Sequence, residues 1–169
     1  RIALVGQPNC GKSTLFNSVA GYRSITANFP GVTVHYTRSR IQLHGETAEL
    51  IDLPGTYSLT ASTPAESATR DFLLQEEIDA VINIIDASVL SRSLELTLQL
   101  VELGLPVAVC LNMMDEAHRK GIRIDSKELA KDLGVPVVET VAAEGLGVHE
   151  LFQTALLLAS NPAVPACGL

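Results

Sequence analysis

Ile2-Ala3-Leu4-Val5-Gly6-Gln7-Pro8-Asn9-Cys10-Gly11-Lys12-Ser13 is the stretch whose reading decides the fold. Four apolar residues read as a buried strand and run into a loop rich in turn formers. A helix is expected from Lys12 to about Ala20, with Gly21 as its stop signal. The loop has GxxxxGK[ST] spacing between a strand and a helix, which is the arrangement of a phosphate-binding loop. Gly6 and Gly11 let backbone N–H groups approach phosphate oxygens with no Cβ in the way. The helix start adds the positive end of its dipole. Lys12 has the reach to meet β- and γ-phosphates, and the Ser13 hydroxyl is a hard oxygen ligand suited to Mg²⁺. Gly6, Gln7, Pro8, Asn9, Cys10, Gly11, Lys12, Ser13 and Thr14 are therefore the expected phosphate-binding segment. The plainer alternative is a glycine turn that precedes a helix by chance.

Working outward, residues 22–32 hold Pro30 and Gly31, show no regular period and read as a loop. Thr33 to Leu43 and Glu46 to Asp52 read as an antiparallel hairpin turned at His44-Gly45. Pro54 to about Thr63 is irregular, and a helix from Pro64 to Gln75 follows. The remainder alternates: strand Val81–Ile85, helix Ser91–Leu103, strand Val107–Leu111, helix Ser126–Leu133, strand Val137–Thr140, helix Val148–Ala159. Such alternation predicts an α/β fold with a parallel sheet covered on both faces. The expectation is a P-loop NTPase G domain over residues 1–160, with a mostly parallel six-stranded sheet and one antiparallel edge strand. Residues 161–169, with Pro162 and Pro165, read as a linker or truncation point. The chain opens at Arg1, inside an apolar pattern and without an initiator Met, so it reads as a fragment.

Composition narrows the function classes. The 169 residues suit one domain with a full core. Aromatics are only 4% and Trp is absent, so the core must be aliphatic, as parallel strands buried on both faces prefer. A net charge of −7 argues against a broad surface for nucleic acid or anionic lipid. Cys10, Cys110 and Cys167 have no metal-ligand spacing, and three cysteines make a disulfide framework a poor reading. No apolar run is long enough to span a bilayer.

Two further segments extend the site. Asp52-Leu53-Pro54-Gly55 follows a strand. An Asp at a strand end of a phosphate-loop protein holds Mg²⁺, and the Gly55 N–H can reach a γ-phosphate. Asn112-Met113-Met114-Asp115 follows another strand and is related to the Asn-Lys-x-Asp run of G proteins. A carboxylate at Asp115 would accept hydrogen bonds from N1–H and the exocyclic amine of guanine. Adenine would leave it unpaired, at a cost of about 1–3 kcal/mol. Asn112 would tie this loop to the phosphate loop, and Met113 would pack over the base where Lys is usual. Val141-Ala142-Ala143 stands where G proteins turn a backbone N–H toward the guanine carbonyl. The alternative for Asp115 is a helix cap on a solvated loop.

Four runs resemble the G domain of FeoB, the bacterial ferrous-iron transporter family: Gly6 to Asn17, Asn28-Phe29-Pro30-Gly31-Val32-Thr33-Val34, Asp52-Leu53-Pro54-Gly55-Thr56-Tyr57-Ser58-Leu59 and Asn112 to Asp115. The resemblance implies a GTP-binding, GTP-hydrolysing switch that regulates Fe²⁺ uptake. It implies that Thr33 is the switch I residue, ligating Mg²⁺ with Ser13 and Asp52. A β-former at a strand start is the other reading of Thr33. It implies K⁺ near the phosphates, held by Asn9 and switch I carbonyls, in place of the water-orienting Gln that Ras-like proteins carry where this chain has Thr56. Glu66 is a candidate for positioning water, and equally a helix-start charge. The implied catalytic set is Lys12, Thr33, Gly55, Asn9 and Glu66. The implied parent adds a helical regulatory domain and a membrane domain, sits at the cytoplasmic face of the bacterial inner membrane, and is a possible homo-oligomer. His35, His44, His118 and His149 are scattered and form no iron site in the sequence. A ribosome- or tRNA-associated K⁺-dependent G protein is the alternative, disfavoured by the acidic charge.

The base reading predicts that Asp115→Asn shifts preference from guanine toward xanthine nucleotides. Competition binding with GTP and XTP checks it, and an unchanged preference would mean the base is read elsewhere.

Overall fold

In the computed structural model, residues 1–21, 24–43 and 45–161 are described. The expected turn residue His44 and the tail from residue 162 lie outside them. A seven-stranded sheet of order β2-β3-β4-β1-β5-β6-β7 forms the centre. Its strands are β1 (Ile2–Gly6), β2 (Ile25–Asn28), β3 (His35–Leu43), β4 (Glu46–Asp52), β5 (Ala80–Asp86), β6 (Val107–Asn112) and β7 (Val137–Glu139). Six helices surround them: α1 (Lys12–Val19), α2 (Pro64–Gln75), α3 (Leu90–Glu102), α4 (Met114–Arg119), α5 (Ser126–Leu133) and α6 (Val148–Ser160).

β1 is the middle of the fold because all five of its residues are buried. It runs parallel to β4 on one side and β5 on the other. Successive side chains on a strand face opposite ways. Ala3 and Val5 accordingly join Ile51, Val81, Leu96 and Leu100 in one core. Ile2 and Leu4 join Leu15, Phe16, Ile82 and Phe152 in the other. The continuous aliphatic runs of β1, β5 and β6 are thus explained by helices on both faces.

The α/β reading of the sequence holds, with two refinements. The sheet has seven strands, not six, because Ile25–Asn28 pairs antiparallel with β3, from Ile25↔Arg38 to Asn28↔His35. The reversed strand is β3, and it lies one place in from the edge that β2 occupies. β2 is exposed along nearly all its length, so it has no buried face and no hydrophobic alternation to signal it. The short helix α4, directly after the Asn112–Asp115 run, was likewise absent from the sequence reading.

The β2–β3 turn is tight: the Phe29 N–H donates to Val34 O at 3.0 Å, and Gly31 takes φ 77°. An aromatic trio holds this turn to α2. Phe29 lies 4.9 Å from Tyr36 and 5.6 Å from Phe72, the latter edge-on at 88°, and Tyr36 lies 5.2 Å from Phe72. Such pairs add stability beyond area burial. α2 itself starts on Thr63, whose hydroxyl accepts from the Glu66 N–H at 3.2 Å, with Pro at its first turn. Phe72→Ala should cost about 3 kcal/mol through the cavity it leaves. Urea unfolding checks this, and a loss below about 1 kcal/mol would mean the turn is held otherwise.

Candidate functional site

All the chemistry gathers at the C-terminal edge of the parallel strands, where open α/β sheets place ligands. Two adjoining clefts open there. One, of about 490 Å³, is lined by Gln7, Pro8, Asn9, Gly11, Lys12, Ser13, Thr14, Gly55 and Met113. The other, of about 420 Å³, is lined by Gly11, Thr14, Asp86, Ser88, Asn112, Met113, Asp115, Glu116, Lys120, Val141, Ala142 and Ala143. Gly11, Thr14 and Met113 form the shared wall. The arrangement fits an elongated ligand with a polyanionic end and a flat end.

The phosphate loop owes its shape to particular backbone demands. Asn9 takes φ 65° and Gly11 φ 90°, and Gly11 caps the start of α1. A Cβ on Gly11 would fall inside contact distance of Asn112 Nδ2, so glycine is required there for space as well as torsion. A Cβ on Gly6 would press 2.6 Å from Ile84 O. Gly55 brings the segment that follows β4 against this loop, since its Cβ would lie 3.2 Å from Pro8.

Asn112 is buried and joins three loops. Its Nδ2 donates to Cys10 O at 3.0 Å. Its Oδ1 accepts from Thr140 Oγ1 and from the Ala142 N–H, both at 3.0 Å. Thr140 was missed in the sequence, because a hydroxyl at a strand end carries no signal until its partner is known. With the Ala142 N–H so engaged, Ala143 is the exposed residue of the Val141–Ala143 run on the cleft wall. Met113 takes φ 61° and caps α4, which sets Asp115 in the first turn at the cleft. Asp115 Oδ2 stands 3.9 Å from Arg119 and keeps its side chain 41% exposed, so its carboxylate is open to a ligand.

Lys12 and Asp52 form an ion pair, with side chains only 10% and 16% exposed. An ammonium and a carboxylate so enclosed are poorly solvated, and both are suited to exchange this contact for a ligand of opposite charge. Cys10 turns its thiol into the core beneath the loop, where burial pushes its pKa up to about 11. It contributes backbone to the site and is a poor nucleophile at neutral pH. Burial likewise pushes Cys110 up to about 12.

Two expected residues stand apart from the clefts. Thr33 is exposed in the β2–β3 turn and lines neither cleft, so reaching the phosphate loop requires that turn to rearrange. Glu66 is buried against its own loop: its Oε2 accepts from the Ser62 N–H at 3.0 Å and its Oε1 from Ser58 Oγ at 3.4 Å. In this arrangement its carboxylate fastens residues 58–62 and lines neither cleft. Thr56 is buried, with its N–H on Gly6 O at 3.0 Å, and does not face the phosphate cleft either. A further cavity, of about 640 Å³ between Phe29–Val32 and α2, carries none of the phosphate- or base-directed groups.

The sequence profile described as ferrous iron transport protein B matches residues 1–155. The chain belongs to the FeoB family. It is 46% identical to the Fe(2+) transport protein A/Fe(2+) transporter FeoB fusion protein of Porphyromonas gingivalis over 156 residues, 91% of this chain and 18% of that protein. It is 44% identical to the Fe(2+) transporter FeoB of Salmonella typhimurium over 154 residues, 89% of this chain and 20% of that protein. The chain therefore spans about a fifth of these FeoB relatives. Among solved structures, a GDP-bound point mutant of S. thermophilus NFeoB superposes with TM-score 0.90 at 39% identity, covering 96% of this chain and 64% of that one. The FeoB G domain of Methanococcus jannaschii gives TM-score 0.83 at 42% identity, covering 94% and 96%. The FeoB G-domain fold is thus shared across bacterial and Methanococcus chains.

Gly11→Ala should abolish guanine-nucleotide binding while the chain still folds, because the added Cβ displaces the Asn112 amide that joins the loops. Calorimetric titration with GDP beside a far-UV CD melt checks it. Binding within about threefold of the unaltered chain would refute the geometric requirement.

Proposed function

We propose that residues 1–160 bind GTP with Mg²⁺ and hydrolyse it to GDP and phosphate, as the cytosolic switch of a ferrous-iron transporter. The single observation that carries this is the joining of a complete phosphate loop to the Asn112–Asp115 base loop through one buried amide. GDP in the S. thermophilus relative supports the choice of nucleotide. Backbone N–H groups from Gly6 to Thr14 and the Lys12 ammonium hold the phosphates. Asp115 reads the guanine edge, Met113 covers the ring, and the Ala143 N–H faces its carbonyl.

The oxygen donors of Ser13 and Asp52 fit a hard divalent cation. Mg²⁺ held by them, with Thr33 joining from switch I, would neutralise phosphate charge and order the switch. Asn9, exposed on the phosphate loop, offers an amide oxygen to K⁺, whose charge would offset that developing on the phosphates. Gly55 presents its N–H toward the γ-phosphate end. Lys12 moves from Asp52 to phosphate as nucleotide enters. Thr33 arrives by rearrangement of the β2–β3 turn, an ordering change of the kind GTPase switches use. In this reading the segment from Gly55 to Ser62 is switch II, and Glu66 contributes by fixing its residues 58–62 rather than by touching water.

Residues 161–169 lead, in this reading, toward a helical regulatory region and a membrane region of the parent protein, placed at the cytoplasmic face of the inner membrane. No helix among the described residues is long and apolar enough to cross a membrane, so Fe²⁺ passage belongs to those further regions. The parent is a possible homo-oligomer. A net charge of −7 disfavours the reading as a ribosome- or tRNA-associated protein.

Single-turnover phosphate release should be about tenfold faster in K⁺ than in Na⁺, and Asn9→Ala should erase the difference with GDP affinity retained. Equal rates in the two salts would refute the cation role. Absence of any phosphate release would refute hydrolysis.

A further inference from the structure

Residues 57–62 cross the surface between the Gly55 corner and α2 with little to hold them. The bonds from Ser58, Thr60 and Ser62 go to one another or to Glu66 on the helix they lead into. One hydrogen bond among the described residues ties this stretch to a separate element: the Leu59 N–H donates to Gln99 Oε1 on α3 at 2.6 Å. The Leu59 side chain is buried in the same core as Leu96 and Leu100 of α3. The backbone bond and the apolar anchor therefore fall at one point.

α3 is a firm base for this hold. Leu96, Thr97 and Leu100 are buried, and Asn83 Nδ2 in β5 donates to Thr97 Oγ1 at 2.6 Å. The first turn of α3 also carries the phosphate loop, since Gln7 Nε2 donates to Arg92 O. Two turns of one helix thus grip the two segments that must be in register around the γ-phosphate. Gln99 is half-buried, and its own amide is steered by Glu95 Oε1 at 3.4 Å, which leaves Oε1 facing Leu59.

We propose that Gln99 is a positioning residue for hydrolysis, a latch that sets switch II against the phosphate loop through the Leu59 N–H. The proposal rests on the GTPase reading for its kinetic consequence, while the latch itself is a structural statement. Gln99 touches no part of either cleft and acts only through the backbone it holds. Loss of the latch loosens residues 59–62 and lowers turnover without weakening nucleotide binding, because the phosphate and base loops keep their own bonds.

The test compares the full chain with two variants in GDP and Mg²⁺. Gln99→Met keeps the side-chain length and removes the acceptor. The double variant Glu95→Gln with Gln99→Glu keeps an acceptor for Leu59 and a donor to steer it. Hydrogen exchange read at residues 59–62 should be about fivefold faster in Gln99→Met and return to the unaltered rate in the double variant. Single-turnover hydrolysis should fall by about the same factor in Gln99→Met and recover in the double variant, with GTP affinity unchanged in both. Unchanged exchange in Gln99→Met overturns the latch. So does faster exchange with unaltered turnover, or a matched loss of GTP affinity. If the unaltered chain released no phosphate, the hydrolysis reading would fail and the kinetic role of Gln99 with it, while exchange would still decide whether Gln99 holds Leu59.

Discussion

A single carboxamide fixes the geometry on which the site depends. Asn112 sits at the end of β6, almost fully enclosed, and its two polar atoms meet three partners from two other loops. An amide so buried would be costly if any partner were withdrawn. Because it is satisfied, the loop after β1, the loop after β6 and the turn after β7 cannot move independently. The glycine at position 11 is the other half of this constraint, because the amide occupies the space a larger residue would need.

That constraint divides the edge of the sheet into a fixed part and a movable part. On the fixed side are the phosphate loop and the base loop, which leave the fully buried strands β1 and β6, and the 142–144 turn, which follows β7 and is tied to them by Asn112. On the movable side, the β2–β3 turn leans on an exposed edge strand and an aromatic trio, and residues 57–62 rely on Glu66 and Gln99. The Lys12–Asp52 pair sits where the two parts meet.

The phosphate loop was legible because its chemistry is local: the glycines, the lysine and the hydroxyl are consecutive and their helix follows at once. The base loop was legible for the same reason, as was the α/β alternation, since continuous aliphatic runs leave few other folds. The edge strand β2 escaped notice because exposure on both faces removes the periodicity that marks a strand. Helix α4 escaped because it is short and begins on a left-handed methionine, which no propensity anticipates. Glu66 could be read two ways from its place in the third position of a helix, and its bonds to Ser58 and Ser62 could not be seen in either reading.

The sequence by itself determined the strand–loop–helix at the start and the family, and it picked out residues that line both clefts, because each follows from neighbours along the chain. Tertiary structure alone decided that Thr140 and the Ala142 N–H hold Asn112, that Glu66 and Gln99 clamp switch II, and that Thr33 stands outside the clefts. Those outcomes depend on hydrogen bonds between residues as many as 40 positions apart in the case of Leu59 and Gln99, and 102 in the case of Cys10 and Asn112. Such partners are chosen by how the sheet orders its strands, and a linear pattern carries no record of that order.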